Sequence, residues 1–335
     1  MTWDLLPADL KARGYPKDPK HVFGRLQRVS TWDEAGPVLA RAGKELGLDL
    51  ALPRIAEEVP SDDGATRIVL ALADGARIEA VHMPRALAGG SDRTTVCLSS
   101  QVGCAMGCTF CATAKMGLVR NLTAAEIIGQ LLVVLHRFGP RDASSLNLVF
   151  MGMGEPLHNV DAILRVLDVL CEPAGLGVAP SRITVSTAGH VAGLDRLAQG
   201  PHIPELAVSV NGATDEVRTS LMPIGKKWPL ADLRAALARW PKRPHAKLTL
   251  EYVLLAGVND DLDSADRLAA WKGDLRAMVN VIPFNEWTGS GYREPDPTPF
   301  VARLREQGCL VTVRRSRGRD VRGACGTLAT VSRRG

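Results

Sequence analysis

Residues 94–138 read TTVCLSSQVGCAMGCTFCATAKMGLVRNLTAAEIIGQLLVVLHRF, and this stretch contains the unit from which the fold is built. Its first residues, Thr94–Leu98, are rich in β-branched side chains and predict a buried strand. Thr123 and Glu126 have the spacing of a capping box, so a helix is predicted over 124–138. The cysteine-rich segment between them therefore lies in a loop that connects a strand to a helix.

The alternation of strand and helix continues along most of the chain. Further strands are predicted at Leu146–Met151, Arg182–Ser186, Glu205–Val210, Lys247–Leu254, Ala277–Ile282 and Leu310–Val313, and helices at 124–138, 160–171, 191–199, 214–221, 230–239 and 263–271. Six consecutive βα units indicate a parallel sheet, either an open doubly wound sheet or a barrel-like array. In both architectures functional residues lie at the carboxyl ends of the strands.

The residues before this array have a different pattern. Residues 1 to about 60 read as helical, with helices predicted at Pro7–Lys11 and Trp32–Leu48. A β-hairpin is predicted next, because two alternating runs flank the turn pair Asp74-Gly75. Residues 85–93 read as a linker into the βα array.

The composition places the chain among globular proteins. It has 335 residues, of which 46% are hydrophobic and 23% are charged, enough to bury a large core in about two domains. No apolar run approaches the roughly 18 residues of a membrane helix, and no secretory signal is readable at the N-terminus. We therefore expect a cytoplasmic protein with no membrane partner.

The positive charge is concentrated at the end of the chain. The net charge is +5, but residues 309–335 contain seven arginines and one acid, which leaves the first 308 residues at a net −1. A basic block of this kind predicts a polyanionic partner such as nucleic acid, or else a solvated arginine-rich surface.

The seven cysteines indicate chemistry other than structural disulfides. An odd number without a secretory signal argues against a disulfide framework. Cys104, Cys108 and Cys111 fall within eight residues, with no histidine in the loop to complete a four-ligand zinc site. This spacing favours an iron–sulfur cluster, while zinc and reduced structural thiols remain alternatives. Cys171 and Cys309 read as core residues.

Several linked motifs resemble the radical S-adenosylmethionine (SAM) superfamily and, within it, the RlmN/Cfr family of RNA adenine methyltransferases. The resemblance runs in order from about residue 65 to 330. It rests on the Cys-x3-Cys-x2-Cys loop and on Cys97-Leu-Ser-Ser-Gln-Val-Gly-Cys104, Asn121-Leu-Thr, Glu126-Ile-Ile-Gly-Gln130, Met151-Gly-Met-Gly-Glu-Pro156, Ser186-Thr-Ala-Gly189, Ile282-Pro-Phe-Asn285 and Ala324-Cys-Gly326.

The resemblance implies an α/β fold, a radical SAM partial (β/α)6 barrel with two additions. The expected organisation is an N-terminal helical accessory domain over 1–60, a small β-hairpin extension over 61–89, a radical SAM core over 90–320, and a basic C-terminal segment over 321–335 that carries a mobile catalytic cysteine.

The resemblance also implies the cofactors and their ligands. One [4Fe-4S] cluster per chain is expected on three cysteines, with one iron left open for SAM. The implied cluster ligands are Cys104, Cys108 and Cys111, and the implied SAM-binding residues are Gly154, Glu155, Ser186, Ser209, Val210, Asn211 and Asn285.

Three residues outside the cluster receive catalytic roles from the resemblance. Cys325 would become S-methylcysteine, and a 5′-deoxyadenosyl radical would abstract hydrogen from its methyl group. Cys97 would release the product through a transient disulfide with Cys325. Glu79 would accept the proton that the adenine ring carbon loses. On the residues alone, Glu79 reads more simply as an exposed carboxylate on an edge strand, and the two cysteines as small buried hydrophobes.

The implied activity is methyl transfer from SAM to adenine C2 or C8 in rRNA or tRNA. An electron donor such as flavodoxin or ferredoxin, a monomeric state, and contacts of the tail arginines with RNA phosphates are expected with it. The chain departs from the family at Asn211, Gly225 and Thr327, where histidine, asparagine and glutamine are usual. The alternatives are a radical SAM enzyme with a non-RNA substrate and a zinc-stabilised RNA-binding protein.

Overall fold

The computed structural model describes residues 3–15, 18–29, 31–85, 93–139, 143–241 and 248–329. Its N-terminal part contains four short helices: α1 (Pro7–Ala12), α2 (Pro19–Leu26), α3 (Trp32–Ala35) and α4 (Pro37–Glu45). The helix predicted over 32–48 is therefore two helices. Gly36 has a φ of 82°, which ends α3, and Pro37 begins the next helix because it needs no backbone N–H partner there.

The helical interpretation up to residue 60 is wrong at its end, where the chain forms strand β1 (Arg54–Pro60). This strand pairs antiparallel with β2 (Thr66–Ala71), which pairs with β3 (Arg77–Arg85) across the predicted Asp74-Gly75 turn. The hairpin is thus confirmed but has a third strand. β1 is a polar edge strand without a clear apolar alternation, which explains why the pattern missed it. The predicted linker lies mostly outside the described residues, which stop at 85 and resume at 93.

The predicted βα array forms one continuous sheet with this extension. β3 pairs antiparallel with β4, and from β4 onward all neighbouring strands are parallel in the order β4-β7-β8-β9-β10-β11-β12. The strands are β4 (Arg93–Cys97), β7 (Leu146–Phe150), β8 (Ile183–Thr187), β9 (Glu205–Ser209), β10 (Leu248–Leu254), β11 (Met278–Pro283) and β12 (Val311–Val313). Lys247, the predicted start of β10, lies outside the described residues. Because no pairing joins β12 to β4 in the described residues, the array is the expected partial barrel.

Helices connect successive strands and bury their apolar faces against the sheet. They are α6 (Ala124–Phe138), α7 (Val160–Cys171), α8 (Val191–Leu197), α9 (Asp215–Leu221), α10 (Leu230–Arg239), α11 (Leu262–Lys272) and α12 (Thr298–Glu306). The capping box of α6 is present, with Thr123 accepting from the Glu126 N–H and Glu126 accepting from the Thr123 N–H. No helix in the described ranges has the length and apolar character needed to cross a bilayer.

A small clip holds the cysteine loop at the carboxyl end of β4. It consists of β5 (Gln101–Gly103), α5 (Ala112–Lys115) and β6 (Leu118–Asn121), with β5 and β6 paired antiparallel. Gly103 has a φ of 75°, and a Cβ built there would lie 1.8 Å from the Gly117 carbonyl oxygen. The clip therefore requires glycine at position 103 both for its dihedral angle and for its close backbone contact.

We expect Gly103→Ala to lower the free energy of unfolding by about 3–5 kcal/mol, because the methyl group adds overlap with backbone to the strain of a positive φ. Gly75→Ala is the matched control, since Gly75 has a φ of 83° and a methyl group added there would meet nothing within 4 Å. Its cost should be about 1 kcal/mol. Urea denaturation of both variants measures the difference, and equal costs would contradict this account of the clip.

Candidate active site

The three clustered cysteines line one pocket at the carboxyl ends of the parallel strands. Cys104, Cys108 and Cys111 share this pocket, whose empty space, including its open mouth, is about 980 Å³. The Cys104 N–H donates to the Gly117 carbonyl in the clip, and the Thr109 N–H donates to the carbonyl of Leu221 at the end of α9. The loop is thus held from two sides of the barrel.

The three thiols are poorly suited to carry negative charge by themselves. Burial raises the pKa of Cys104 to about 12, and burial together with repulsion from the neighbouring thiols raises the pKa of Cys108 and of Cys111. Thiolates are the ligating form, so this site becomes ionised only when a cationic group compensates it. The donor set therefore fits a cationic iron–sulfur cluster.

The described residues give no support to a mononuclear zinc site. Among them, no three His, Cys, Asp or Glu side chains converge closely enough to hold a single metal ion. A single ion requires its ligands at bonding distance from one point, whereas the ligands of a cluster bind different iron atoms. The three thiols line a common pocket without forming a site for a single ion, which is compatible with the second arrangement.

Four strand ends, those of β7, β8, β9 and β11, bring most of the predicted SAM-binding residues to the same pocket. Gly154, Glu155, Ser186, Ser209, Asn211 and Asn285 all line it. Val210 does not: its side chain is fully buried in the core, its N–H donates to the Glu251 carbonyl, and its carbonyl accepts from Arg218. Val210 thus supports the pocket from behind.

Glu155 and Gly154 are fixed by packing and by backbone hydrogen bonds. The buried Glu155 carboxylate accepts from the N–H groups of Leu157 (3.0 Å) and Ala188 (2.7 Å), yet burial still raises its pKa. A carboxylate has further lone pairs, so acceptor capacity remains for a ligand. Gly154 has a φ of 102°, and a Cβ there would lie 2.6 Å from Gln101 Cβ, so glycine is required by the protein itself.

Asn211, which replaces the family's usual histidine, has a conformational reason for its identity. It has a φ of 54°, a region in which asparagine is better tolerated than most other residues. Its Oδ1 accepts from the Val253 N–H at 2.8 Å, and its Nδ2 lies 3.2 Å from Met222 Sδ. The side chain therefore ties the end of β9 to that of β10.

Asn285 connects the pocket to the segment that contains Cys325. Its Nδ2 donates to Ser316 Oγ (2.9 Å) and to the Cys325 carbonyl (3.0 Å). Its Oδ1 is buried and has no hydrogen-bond partner among the described residues. That oxygen is available to a ligand.

Cys325 lies between the cluster thiols and Cys97. It lines the main pocket with the three clustered cysteines and also a smaller cavity with Cys97. Burial raises the pKa of Cys97 to about 12. All seven cysteines are free thiols in the structure, and Cys171 and Cys309 are buried core residues as predicted.

The simpler interpretation of Glu79 as an exposed edge carboxylate is wrong. β3 is covered by β4 on its other side, and the Glu79 residue is only 1% exposed. Arg67 Nη1 lies 3.5 Å from its carboxylate. Glu79 shares a sheet face with Val81, the register partner of Cys97, but it does not line the main pocket.

The arginine block is largely occupied with internal contacts, so its charge is not simply displayed to solvent. Arg314 pairs with Glu251, Arg317 donates to the carbonyls of Asp63 and Pro84, and Arg319 pairs with Glu294. Arg315 and Arg322 are exposed, whereas Arg333 and Arg334 lie outside the described residues. Arg314, Arg317 and Arg319 thus have intramolecular partners, and contact of these arginines with RNA phosphates stays a prediction.

These contacts hold residues 314–328, here called the C-terminal strap, across the site. At one end the Gly318 N–H donates to Asp63 Oδ2 (2.8 Å), and Asp320 accepts from Ser61 Oγ and from the Asp62 N–H. At the other end the Ala112 N–H donates to the Gly326 carbonyl at 2.8 Å. The β1–β2 turn and the cluster loop together fix the position of Cys325.

Three charged residues of the site, of which Glu251 and Arg218 are buried and Arg314 is half-buried, were missed by sequence reasoning. Glu251 lines the pocket, Arg314 lies beside it, and Arg218 is fully buried and donates to the carbonyls of Ala188, Ser209 and Val210. Nothing in the local sequence distinguishes them from surface charges. Only the convergence of distant strand ends shows their role.

The chain is similar to known proteins that share one enzyme family. The model of the radical SAM superfamily matches residues 98–269. The dual-specificity RNA methyltransferase RlmN of Syntrophobacter fumaroxidans is 41% identical, covering 92% of this chain and 89% of its own length. The probable dual-specificity RNA methyltransferase RlmN of Moorella thermoacetica is 44% identical, covering 88% and 85%.

A solved structure agrees over nearly the whole chain. The crystal structure of a radical SAM methyltransferase from Sphaerobacter thermophilus superposes with a TM-score of 0.87 at 38% identity, covering 98% of this chain and 99% of that one. The similarity therefore includes the N-terminal helices and the strap as well as the barrel.

We expect Asp320→Ala to loosen the strap, because the carboxylate holds both Ser61 and the Asp62 N–H. Limited trypsinolysis should then cleave after the exposed Arg322 about tenfold faster, the effect of losing one or two charge-assisted hydrogen bonds. Asp296→Ala is the control, since the Asp296 carboxylate accepts from the N–H and hydroxyl of Thr298 within its own turn. Equal cleavage rates in the two variants would show that the Asp320 contact does not hold the strap.

Proposed function

The chain belongs to the RlmN family of radical SAM RNA methyltransferases, and from this membership we propose that it transfers a methyl group from SAM to an adenine ring carbon, C2 or C8, of rRNA or tRNA. The observation that carries the proposal is the position of Cys325. It lines one pocket with the three cluster thiols and one cavity with Cys97. A cysteine with only a structural role would need neither the cluster thiols nor Cys97 beside it.

The proposed ligands follow from the pocket lining. Cys104, Cys108 and Cys111 would hold the [4Fe-4S] cluster, and the free Asn285 Oδ1 with Glu155, Ser186 and Ser209 would bind SAM. When bound, the cluster supplies the electron that cleaves SAM and so gives the radical needed to activate an unreactive methyl carbon. The protein contributes position and exclusion of water.

Cys325 would first act as a nucleophile. Its sulfur takes the methyl group from one SAM and leaves S-adenosylhomocysteine, so the strap carries a methyl group next to the cluster site. Cys97 would later attack the Cys325 sulfur, which breaks the bond between that sulfur and the transferred carbon. The electrons of the broken bond stay on the carbon, which takes up a proton and leaves as the methyl group of the RNA, and the two cysteines remain as a transient disulfide for reduction. The free thiols of the structure correspond to the reduced form.

Glu79 is the proposed acceptor of the adenine proton. It is buried on the sheet face of Cys97, near the strap, and its carboxylate faces Arg67. Gly323 of the strap passes close to Arg67, since a Cβ at that glycine would lie 3.5 Å from Arg67 Cβ. A movement of the strap at Gly323 would therefore alter the surroundings of the Glu79–Arg67 ion pair.

The substrate, the electron donor, the oligomeric state and the cellular location are also part of the proposal. We propose rRNA, tRNA or both as substrate, a flavodoxin or ferredoxin as electron donor, a monomeric enzyme, and the cytoplasm as its location. Asn211 in place of histidine does not decide between C2 and C8, because its side chain serves the β9–β10 contact.

Nucleoside mass spectrometry of total rRNA and tRNA from a deletion strain tests the proposed activity. Loss of 2-methyladenosine or 8-methyladenosine is expected, with recovery by the wild-type chain and no recovery by Cys325→Ala. Unchanged levels of both nucleosides in the deletion strain would overturn the proposal, and recovery by Cys325→Ala would overturn the role of Cys325.

We expect Cys97→Ala to trap RNA on the protein, because nothing remains to attack the Cys325 sulfur after the carbon–carbon bond has formed. Mass spectrometry of the purified variant should locate an RNA adduct at Cys325. Cys171→Ala, which removes a buried core thiol that lines neither of the cavities of Cys325, is the control. Cys97→Ala protein that carries no adduct and keeps full methylation activity would contradict the role of Cys97 in releasing the RNA.

A further inference from the structure

Arg314 is the charged residue of the strap that reaches the reacting thiols. Its backbone N–H donates to the Val281 carbonyl at 2.9 Å, which continues the pairing of β12 with β11. Its side chain turns inward, with Nη1 at 3.1 Å from Met151 Sδ and 3.4 Å from Glu251 Oε1. The guanidinium is thereby held at the boundary between the pocket and the small cavity.

Both proposed catalytic thiols share that cavity with Arg314. Cys97 and Cys325 line it together with Met151. The cavity's other arginine, Arg317, is bound to the backbone carbonyls of Asp63 and Pro84. Arg314 is therefore the cation best placed to interact with a sulfur anion.

The electrostatics of the cavity agree with this placement. Negative charge at the Cys325 and Glu251 side chains raises the pKa of Arg314, while Arg314 opposes the effect of burial on the pKa of Cys97. The other oxygen of Glu251 accepts a hydrogen bond from Ser186 Oγ at 3.2 Å. One carboxylate thus connects the proposed SAM site to the arginine beside the thiols.

We propose that Arg314 is a positioning residue that stabilises the negative charge on the Cys325 sulfur before its attack on the methyl group, with Glu251 fixing the direction of the guanidinium. This inference rests on the proposed function. It reassigns one arginine of the basic block from RNA contact to sulfur chemistry.

The step balances without an added oxidant or reductant. The Cys325 thiol first loses its proton to solvent, and its sulfur then donates an electron pair to the methyl carbon of SAM. The bond between that carbon and the sulfonium sulfur breaks, and its electrons remain on the sulfur of S-adenosylhomocysteine. Only the thiolate can begin this sequence, and a desolvated cavity disfavours the thiolate.

The size of the effect follows from two opposing trends. An opposite charge within a few ångströms lowers a pKa by roughly 1–3 units. The thiolate fraction then rises tenfold per unit, whereas nucleophilicity falls about threefold per unit, because the Brønsted coefficient is about 0.5. Removal of the Arg314 charge should therefore slow Cys325 about tenfold.

Alkylation by iodoacetamide tests this without SAM or turnover. The cluster-loaded, unmethylated full chain is treated anaerobically near neutral pH, and the rate at Cys325 is read from its peptide by mass spectrometry. Arg314→Met should be about tenfold slower than wild type, and Arg314→Lys should stay within about threefold because it keeps the charge. Arg315→Met, which removes an exposed charge next along the chain, should match wild type.

The outcomes separate this inference from the proposed function. An Arg314→Met rate equal to or faster than wild type, or an Arg314→Lys rate as slow as that of Arg314→Met, overturns the role of Arg314. If Arg314→Met does not fold, Arg314→Gln, which also removes the charge, takes its place with the same expected slowing. Failure of the wild-type chain to methylate Cys325 with SAM overturns the proposed function instead, whatever the alkylation rates.

Discussion

The burial of three thiols at the carboxyl edge of a parallel sheet is the constraint on which the rest of the structure depends. Cys104, Cys108 and Cys111 sit in a low-dielectric pocket where burial opposes their ionisation, and repulsion from the other cluster thiols adds to this at Cys104 and Cys108. They serve as ligands only with a cationic group among them. The clip, the glycine at position 103 and the contact to α9 all hold this unfavourable arrangement in place.

The second constraint is that a distant part of the chain must reach the same pocket. The strap crosses from β12 to the cluster loop, anchored by Asp63 and Asp320 at one end and by Asn285 and Ala112 at the other. This gives the β-hairpin extension a purpose, because its first turn is where the strap is fastened. Arg317 and Arg319 of the basic block add contacts that hold the strap in place.

The sequence predicted the repetitive part of the fold well. The bounds of α6 follow from its capping box, and the strands of the array follow from apolar runs, because both signals are local. β1 was missed because an edge strand carries polar residues on an exposed face. The predicted single helix over 32–48 failed at Gly36-Pro37, where one positive φ ends a helix and proline starts another.

The residues of the candidate site also divide into those that local sequence signals predicted and those that they missed. The cluster thiols and most pocket residues were found because they follow predicted strand ends in recognisable motifs. Glu251, Arg314 and Arg218 were missed, since their burial arises from contacts between segments far apart in sequence. Glu79 was misjudged for the same reason, because only the pairing of β3 with β4 removes it from solvent.

The central claim is that Cys325 carries the methyl group, and a pulse–chase experiment tests it most directly. The enzyme is loaded with deuterated-methyl SAM, freed of it, and given RNA with unlabelled SAM for one turnover. The account predicts deuterium in the methyl group of the first RNA product; an unlabelled methyl group there would contradict it.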